Sequence, residues 1–282
     1  MPSGDPDDVH LLAALERAGT TFAWIPWNST DAKSLGESID ALILRSTWDY
    51  TDNYPEFMRW LDAIDVPIHN PREIVKWNSD KRYLLELAAA GVPVVPTEIV
   101  ESVDQVWDAP QGFAEFVVKP TRGAGSKGAK RFPITEIAAA RAHAIELITS
   151  GTPAMVQPYL PSVDEGSETA LVHFDGIFSH SITKGPMLSK DGERQMVDDL
   201  YVVESIDPRQ ASDAQKKVAQ QALAAMPSVD GFAAPLYARV DLIDDESGAP
   251  IVLELELVEP SLFFAFAPEG ADRFARAVAA RL

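Results

Sequence analysis

The chain has 282 residues, 46% of them hydrophobic, enough to bury a sizeable core in two or three compact units. With 24 Lys+Arg against 43 Asp+Glu its formal charge is -19, which disfavours nucleic acid and anionic membranes as partners unless positive charge is locally concentrated. The lack of cysteine excludes disulfides, thiolate catalysis and Cys-ligated zinc or iron–sulfur sites. No apolar run reaches the roughly 18 residues of a membrane helix and no signal-peptide core is present, so cytoplasm is the expected compartment.

In chain order, Asp5-Pro-Asp-Asp8 reads as the cap of a helix that carries Val9, Leu11, Leu12 and Leu15 and stops at Gly19. Residues 21–27 read as a strand, and residues 38–45 as a buried strand running out into Ser46-Thr-Trp-Asp-Tyr50. A helix over residues 55–64 completes a βα-type unit, in which ligands gather at the carboxyl ends of strands. Arg45, Trp48, Asp49 and Tyr50 sit at such an end and are candidate substrate residues. The chain starts at a helix, so the strand that normally opens such a unit is expected to be missing. Asn70-Pro-Arg-Glu-Ile-Val-Lys-Trp77 reads as a capped helix with Pro at its first position, followed by a helix over residues 81–90 that Gly91 ends. The first domain boundary falls between residues 70 and 78, and residues 92–96 read as a linker strand.

A strand over residues 115–119 ends at Pro120. After a glycine loop come a short strand over residues 130–133, an Ala-rich helix over 135–149, and an apolar strand over 154–160 that turns at Pro158. Residues 168–174 and 177–184 alternate around Asp175-Gly176, a hairpin signal. His173 and His180 alternate with apolar neighbours there and are expected to be packed rather than to be ligands. Residues 185–199, polar and Gly-containing, read as a mobile lid. A strand over 201–206, a helix over 208–225, a second hairpin of residues 235–244 and 250–258 around Glu246-Ser-Gly248, and a closing helix over 268–282 complete the chain.

Two stretches carry chemistry. In the loop after Pro120, Gly123, Gly125 and Gly128 alternate with Ala124, Ser126 and Ala129, so that backbone N–H groups can approach an anion, while Arg122, Lys127 and Lys130 supply charge. A glycine cluster alone also fits a surface turn, and the pattern is neither a Walker loop nor a dinucleotide fingerprint. In the last hairpin Tyr237, Arg239 and Asp241 share a face, as do Glu254 and Glu256, because strand side chains repeat every second residue. If the strands pair, three carboxylates meet beside one arginine, a set suited to Mg²⁺. The plain alternative is the exposed polar face of an amphipathic hairpin.

In order and spacing these stretches resemble the ATP-grasp ligases over essentially the whole chain. Val117-Val-Lys-Pro120 with residues 123–128 is similar to the family's strand and loop over the ATP phosphates, and Met155-Val-Gln-Pro-Tyr-Leu160 to its adenine hinge. Arg239-Val-Asp241 and Glu254-Leu-Glu256 are similar to its metal-binding end. Asn78-Ser-Asp-Lys-Arg-Tyr-Leu84, Leu44-Arg-Ser-Thr-Trp-Asp-Tyr50 and Phe174-Asp-Gly-Ile-Phe-Ser-His180 resemble the branch that contains cycloserine synthetase; glutathione synthetase and D-alanyl-D-alanine ligase would be more distant relatives.

The resemblance implies an α/β (α+β) ATP-grasp fold. A truncated Rossmann-like N-terminal substrate domain would cover residues 1–75, a central subdomain with the Gly-rich loop 76–160, and a C-terminal subdomain with metal site and lid 161–282, the last two clamping ATP. It implies a carboxylate–amine ligase that works through an acyl phosphate. The alternatives are ring closure within one substrate, as in cycloserine synthetase, and a nucleotide-binding module without ligase activity. By position, Lys81 and Lys119 would hold the phosphates beneath a loop containing Gly123, Gly125 and Ser126. The hinge at Gln157, Tyr159 and Leu160 would read adenine, and Glu165 would hold the ribose hydroxyls. Asp241, Glu254 and Glu256 would bind two Mg²⁺ ions, and Arg239 would face the transferring phosphoryl group or the acyl phosphate. Lys184 and Arg194 would be candidates for the substrate carboxylate or the γ-phosphate. The implied partners are a small-molecule carboxylate and an amine, with no nucleic acid and no membrane, and a homodimer is common in the family. The chain departs from the family in its missing opening strand, in its loosely matching lid, and in Glu256 where D-alanyl-D-alanine ligase has asparagine.

Overall fold

The structure, a computed structural model, describes residues 5–29, 32–166, 168–185, 196–197, 201–202 and 205–282. Its first helix, α1 (Asp8–Arg17), has no side-chain cap. Asp8 instead receives Arg45 Nη2 at 2.7 Å, and Asp7 accepts the backbone N–H groups of Phe264 and Ala265 at 2.6 and 2.7 Å. The acidic run therefore ties the start of the chain to its far end rather than capping the helix.

Residues 20–26 form no strand. Among the described residues, their β-branched and aromatic side chains have no neighbouring strand to pair with, and Phe22 and Trp24 are 40% and 43% exposed. The strand expected over 38–45 is reduced to β1 (Leu42–Ile43), which pairs in parallel with β2 (Ile68–His69) across the helix α2 (Tyr54–Ala63). Trp27, Leu44, Tyr50, Phe57, Leu61 and Val75 form the core of this small layer.

Asn70 does not cap the next helix, α3 (Arg72–Asn78), whose N-terminal residue is flanked by Pro71 with no side-chain bond. Its buried amide is turned instead onto the backbone near residues 236–257. The helix α4 (Tyr83–Ala89) follows, and residues 92–96 hold only an isolated bridge from Val94 to Val252 in place of the expected linker strand.

Two antiparallel sheets make up the remainder. The first, in the order β3 (Glu98–Val100), β6 (Ala154–Pro158), β4 (Glu115–Pro120), β5 (Lys130–Pro133), is covered by α5 (Ile137–Thr149), whose Ala140 and Ala144 pack on Phe116, Val118 and Phe132. The second has the order β11 (Ile206–Pro208), β8 (Ile177–Lys184), β7 (Glu168–Phe174), β12 (Tyr237–Asp244), β13 (Pro250–Glu256). A separate pair, β9 (Met196–Val197) and β10 (Tyr201–Val202), forms its own small sheet, and most of the expected lid, residues 186–195 and 198–199, lies outside the described residues.

The five-stranded sheet buries both faces through the two-residue alternation of its strands. Leu171, Val240 and Leu242 face α4 and α6 (Asp213–Ala224), while Ala170, Val172 and Tyr237 face α1 and α7 (Pro268–Ala279). The sequence places the start of α6 at residue 208. It begins at Asp213 because residues 206–208 join the sheet and Ser212 with Gln215 forms a reciprocal capping box. Among the described residues, no helix is long and apolar enough to cross a membrane.

Candidate functional site

The two sheets meet at a cleft of about 550 Å³, and the β12–β13 hairpin forms one wall. Its register sets Arg239 opposite Glu256 and Asp241 opposite Glu254, with a bulge after Asp241. The carboxylates are interleaved with cations. Arg239 Nε reaches Asp241 at 2.9 Å, its Nη2 also contacts Glu256, and Lys184 Nζ lies 2.7 Å from Asp241 while contacting Glu168 on its other side. Lys81 Nζ lies 2.9 Å from Glu254.

These contacts sort the acids. Burial raises the Asp241 carboxyl, but Arg239 and Lys184 outweigh it and hold the group at about 2. Glu254 is likewise desolvated, yet Lys81 and Lys119 bring it below its usual value. Glu256 is pushed up to about 7 by burial, with Glu254 and Asp241 adding to the effect and Arg239 offsetting part of it. Glu259, desolvated and facing Glu256, rises to about 8. Among the described residues no three His, Asp or Glu side chains stand assembled as a metal cage, because lysine and arginine occupy the spaces between the acids. A crowded, oxygen-only donor set in which Glu256, with Glu259 beside it, is held up by burial and neighbouring acids still fits a hard divalent cation, which would supply compensating positive charge.

The opposite wall comes from β4 and the glycine loop. Lys119 faces the cleft, and desolvation lowers it to about 8, with Glu254 opposing. Two successive left-handed residues, Gly125 at φ 58° and Ser126 at φ 59°, curl the loop, and Gly123, Gly125 and Ser126 all line the cleft. Lys81 joins the walls, since the Nζ that meets Glu254 also donates to Gly123 O at 2.7 Å.

At one end Gln157, Tyr159 and Leu160 line the cleft with apolar neighbours that include Val117, Ala129 and Leu253. Arg131 stacks on the Tyr159 ring, 3.4 Å from its centroid, and is held by Glu115 and Asp164. Glu165 is exposed in the turn beyond and does not line the cleft.

At the other end the structure brings in Trp48 and Tyr50 but not Arg45 or Asp49. Arg45 is buried in its ion pair with Asp8 and also donates to Pro260 O, while Asp49 accepts from Trp27 Nε1 at 3.0 Å. Both are scaffold partners here. Arg194 lies outside the described residues.

Sequence reasoning missed several residues that line the cleft: Glu168, read only as a strand end, and Asp5, Asp7, His10 and Phe263 around the second end. The acidic run before α1 was a visible signal, but only long-range packing turns it inward. His173 and His180 are packed, desolvated to about 4, with His180 Nε2 2.7 Å from Leu262 O.

A family profile described as the N-terminal domain of the D-cycloserine synthetase DcsG matches residues 1–70. The cycloserine biosynthesis protein DcsG of Streptomyces lavendulae is 39% identical over 291 residues, covering 99% of this chain and 94% of that protein. A crystal structure of D-cycloserine synthetase DcsG superposes with a TM-score of 0.86 at 35% identity, covering 99% of this chain and 96% of its own. The ATP-grasp ligase PsnB, in a complex with a phosphomimetic precursor variant, Mg and ADP, has a TM-score of 0.61 at 18% identity over 99% of this chain and 96% of its own, a likeness of fold.

Two sheets closing on a cleft with one cationic and one acidic wall are thus an ATP-grasp fold, and the chain is an enzyme of the ligase type. It belongs to the cycloserine synthetase family of ATP-grasp ligases.

Proposed function

We propose that the chain uses ATP to phosphorylate a small-molecule carboxylate and then joins the activated acyl group to an amine. The observation that carries this is the cleft itself, in which Lys81 and Lys119 stand across from Asp241, Glu254 and Glu256. The proposal keeps a division into substrate, central and C-terminal units at 1–75, 76–160 and 161–282, with the cleft between the last two.

Lys81, Lys119 and the loop backbone at Gly123, Gly125 and Ser126 bind the phosphates. Lys119 is suited to this because desolvation holds it near 8 and an anion in the cleft restores its full charge. The hinge at Gln157, Tyr159 and Leu160 receives adenine between apolar walls. Asp241, Glu254 and Glu256 would hold two Mg²⁺ ions, whose chemistry is to neutralise phosphate oxygens during transfer. Arg239, bonded to Asp241, brings its guanidinium to the same place, and together with Lys184 it keeps Asp241 ionised.

A substrate carboxylate oxygen attacks the γ-phosphorus, the bond to the β-phosphate oxygen breaks, and ADP leaves. The amine then attacks the acyl carbon, phosphate leaves with the bonding pair, and the amine nitrogen loses a proton. Activation is required because a free carboxylate has a poor leaving group, and it needs no nucleophile from the protein.

A second reading, ring closure within one substrate that carries both groups, is favoured by the full-length likeness to cycloserine synthetase, including residues 1–70 that supply Trp48 and Tyr50 to the cleft. ADP release measured over a panel of carboxylates with and without added amines tests both. Release that requires an acid and a separate amine supports intermolecular ligation, and release with a single amino-bearing acid supports ring closure. No acid-dependent release across the panel counts against ligation.

A further inference from the structure

The strand that carries Glu254 and Glu256 lies at the edge of its sheet among the described residues: β13 pairs with β12 on one side, and on the other it meets only the bridge from Val94 to Val252, short of both glutamates. An open edge leaves backbone groups unpaired and lets a strand slide or fray, which is a poor foundation for two carboxylates that must keep their aim. In this chain the edge is closed by side chains. Asn78 Nδ2 donates to Leu255 O at 2.7 Å, and Leu257 N–H donates to Asn78 Oδ1 at 2.7 Å, so one carboxamide takes the place of a peptide unit on a neighbouring strand. Leu255 N–H donates to the Tyr83 hydroxyl at 2.9 Å. Farther along, Asn70 Nδ2 donates to Leu257 O and Tyr237 O, both at 2.9 Å, and Leu236 N–H donates to Asn70 Oδ1 at 2.8 Å. Asn70 is wholly buried, Tyr83 is 2% exposed and Asn78 7%. Breaking any of these bonds leaves a desolvated polar group behind, so the buried side chains hold the strand in one geometry.

The same segment holds the other wall. Between Asn78 and Tyr83, the Lys81 backbone N–H donates to Thr121 O at 2.7 Å, at the end of β4, and the Lys81 side chain bridges Gly123 O and Glu254. Residues 78–83 are therefore bonded on one side to the acidic strand and on the other to the phosphate strand.

We propose that Asn78 and Tyr83 are positioning residues. By binding the backbone of Leu255 and Leu257 they fix the register and aim of Glu254 and Glu256 relative to Lys119 and the glycine loop, and so set the affinity of the cleft for a divalent cation. The inference rests on the metal role given above to those two glutamates.

The test uses the full chain as Asn78→Ser, Asn78→Ala and Tyr83→Phe. Hydrogen exchange in the ligand-free protein reads the clip without any metal: Tyr83→Phe releases the Leu255 amide and the Asn78 variants release the Leu257 amide, each by at least tenfold over the surrounding strand. Calorimetric Mg²⁺ titration in the presence of ADP then reads its consequence. The expected result is a several-fold to tenfold weaker Mg²⁺ requirement-setting affinity in the folded variants, with ADP binding in the absence of metal unchanged. Unchanged amide protection overturns the clip, and released amides with unchanged Mg²⁺ affinity overturn the positioning role. Tyr83→Phe removes a single hydroxyl and serves if the Asn78 variants fail to fold. A wild-type chain whose ADP binding ignores Mg²⁺, but whose amides respond as stated, refutes the metal assignment while leaving the clip intact, so the two failures are distinct.

Discussion

Lys81 Nζ stands 2.9 Å from Glu254 Oε1 and 2.7 Å from Gly123 O, joining the acidic hairpin to the glycine loop through a single ammonium group. Burial alone would lower this lysine, but Glu254, joined by Glu256 and Glu259, outweighs desolvation and raises it, so it stays charged in the cleft. Replacing it with methionine removes a charge-assisted bond of about 1.5–3 kcal/mol, and about 1.4 kcal/mol is tenfold in affinity. Steady-state kinetics of Lys81→Met should therefore show the KM for ATP raised roughly 10- to 100-fold. An unchanged KM would remove Lys81 from nucleotide binding.

Lys184 is 3% exposed and sits between Glu168 and Asp241. Breaking a buried ion pair from one side costs about 3–5 kcal/mol because the remaining charge is left uncompensated. At ~2–4 °C per kcal/mol for a chain of this size class, Lys184→Met should melt on the order of 10 °C lower. Adding Glu168→Gln to it should recover part of the loss, since one stranded carboxylate is then neutral. Calorimetry of the single and double variants checks both statements.

The ligand-free protein should have a stability minimum near pH 8. Glu256 and Glu259 hold their protons to about 7 and 8 when folded but only to about 4.5 when unfolded, so the folded state binds more protons between those values and stability falls as pH rises. Lys119 works in the opposite sense above this range: folded it loses its proton at about 8, unfolded at about 10.5, so stability rises with pH there. His173 and His180, desolvated to about 4 against 6.5, make stability fall only as pH drops below about 6.5, which leaves pH 6.5 to 8 to the two glutamates. Melting temperatures across pH 6.5 to 9 should trace this dip, and Glu259→Gln should flatten its falling limb.

The local parts of this architecture were legible in the sequence. Asp175-Gly176 marked its hairpin to the residue, because both take a left-handed φ, 54° and 72°, that few other pairs tolerate. The alternation of Arg239, Asp241, Glu254 and Glu256 likewise follows from strand geometry alone. What could not be read was decided by partners far along the chain. Asn70 looks like a helix cap, yet its amide bonds lie 166 to 187 residues away. Arg45 looks like a strand-end ligand until Asp8 is folded against it. Residues 21–27 have strand propensity but, among the described residues, no strand beside them, and propensity does not create a pairing partner.

Thermal unfolding with and without Mg²⁺ and ADP, on the wild type and on Glu254→Gln, tests the central claim most directly. A ligand at about 100 times its dissociation constant adds roughly 2.7 kcal/mol, which is several degrees for a protein of this size. The account predicts a nucleotide shift that depends on Mg²⁺ and shrinks in Glu254→Gln. No shift with any purine nucleotide, or an equal shift in the variant, would contradict it.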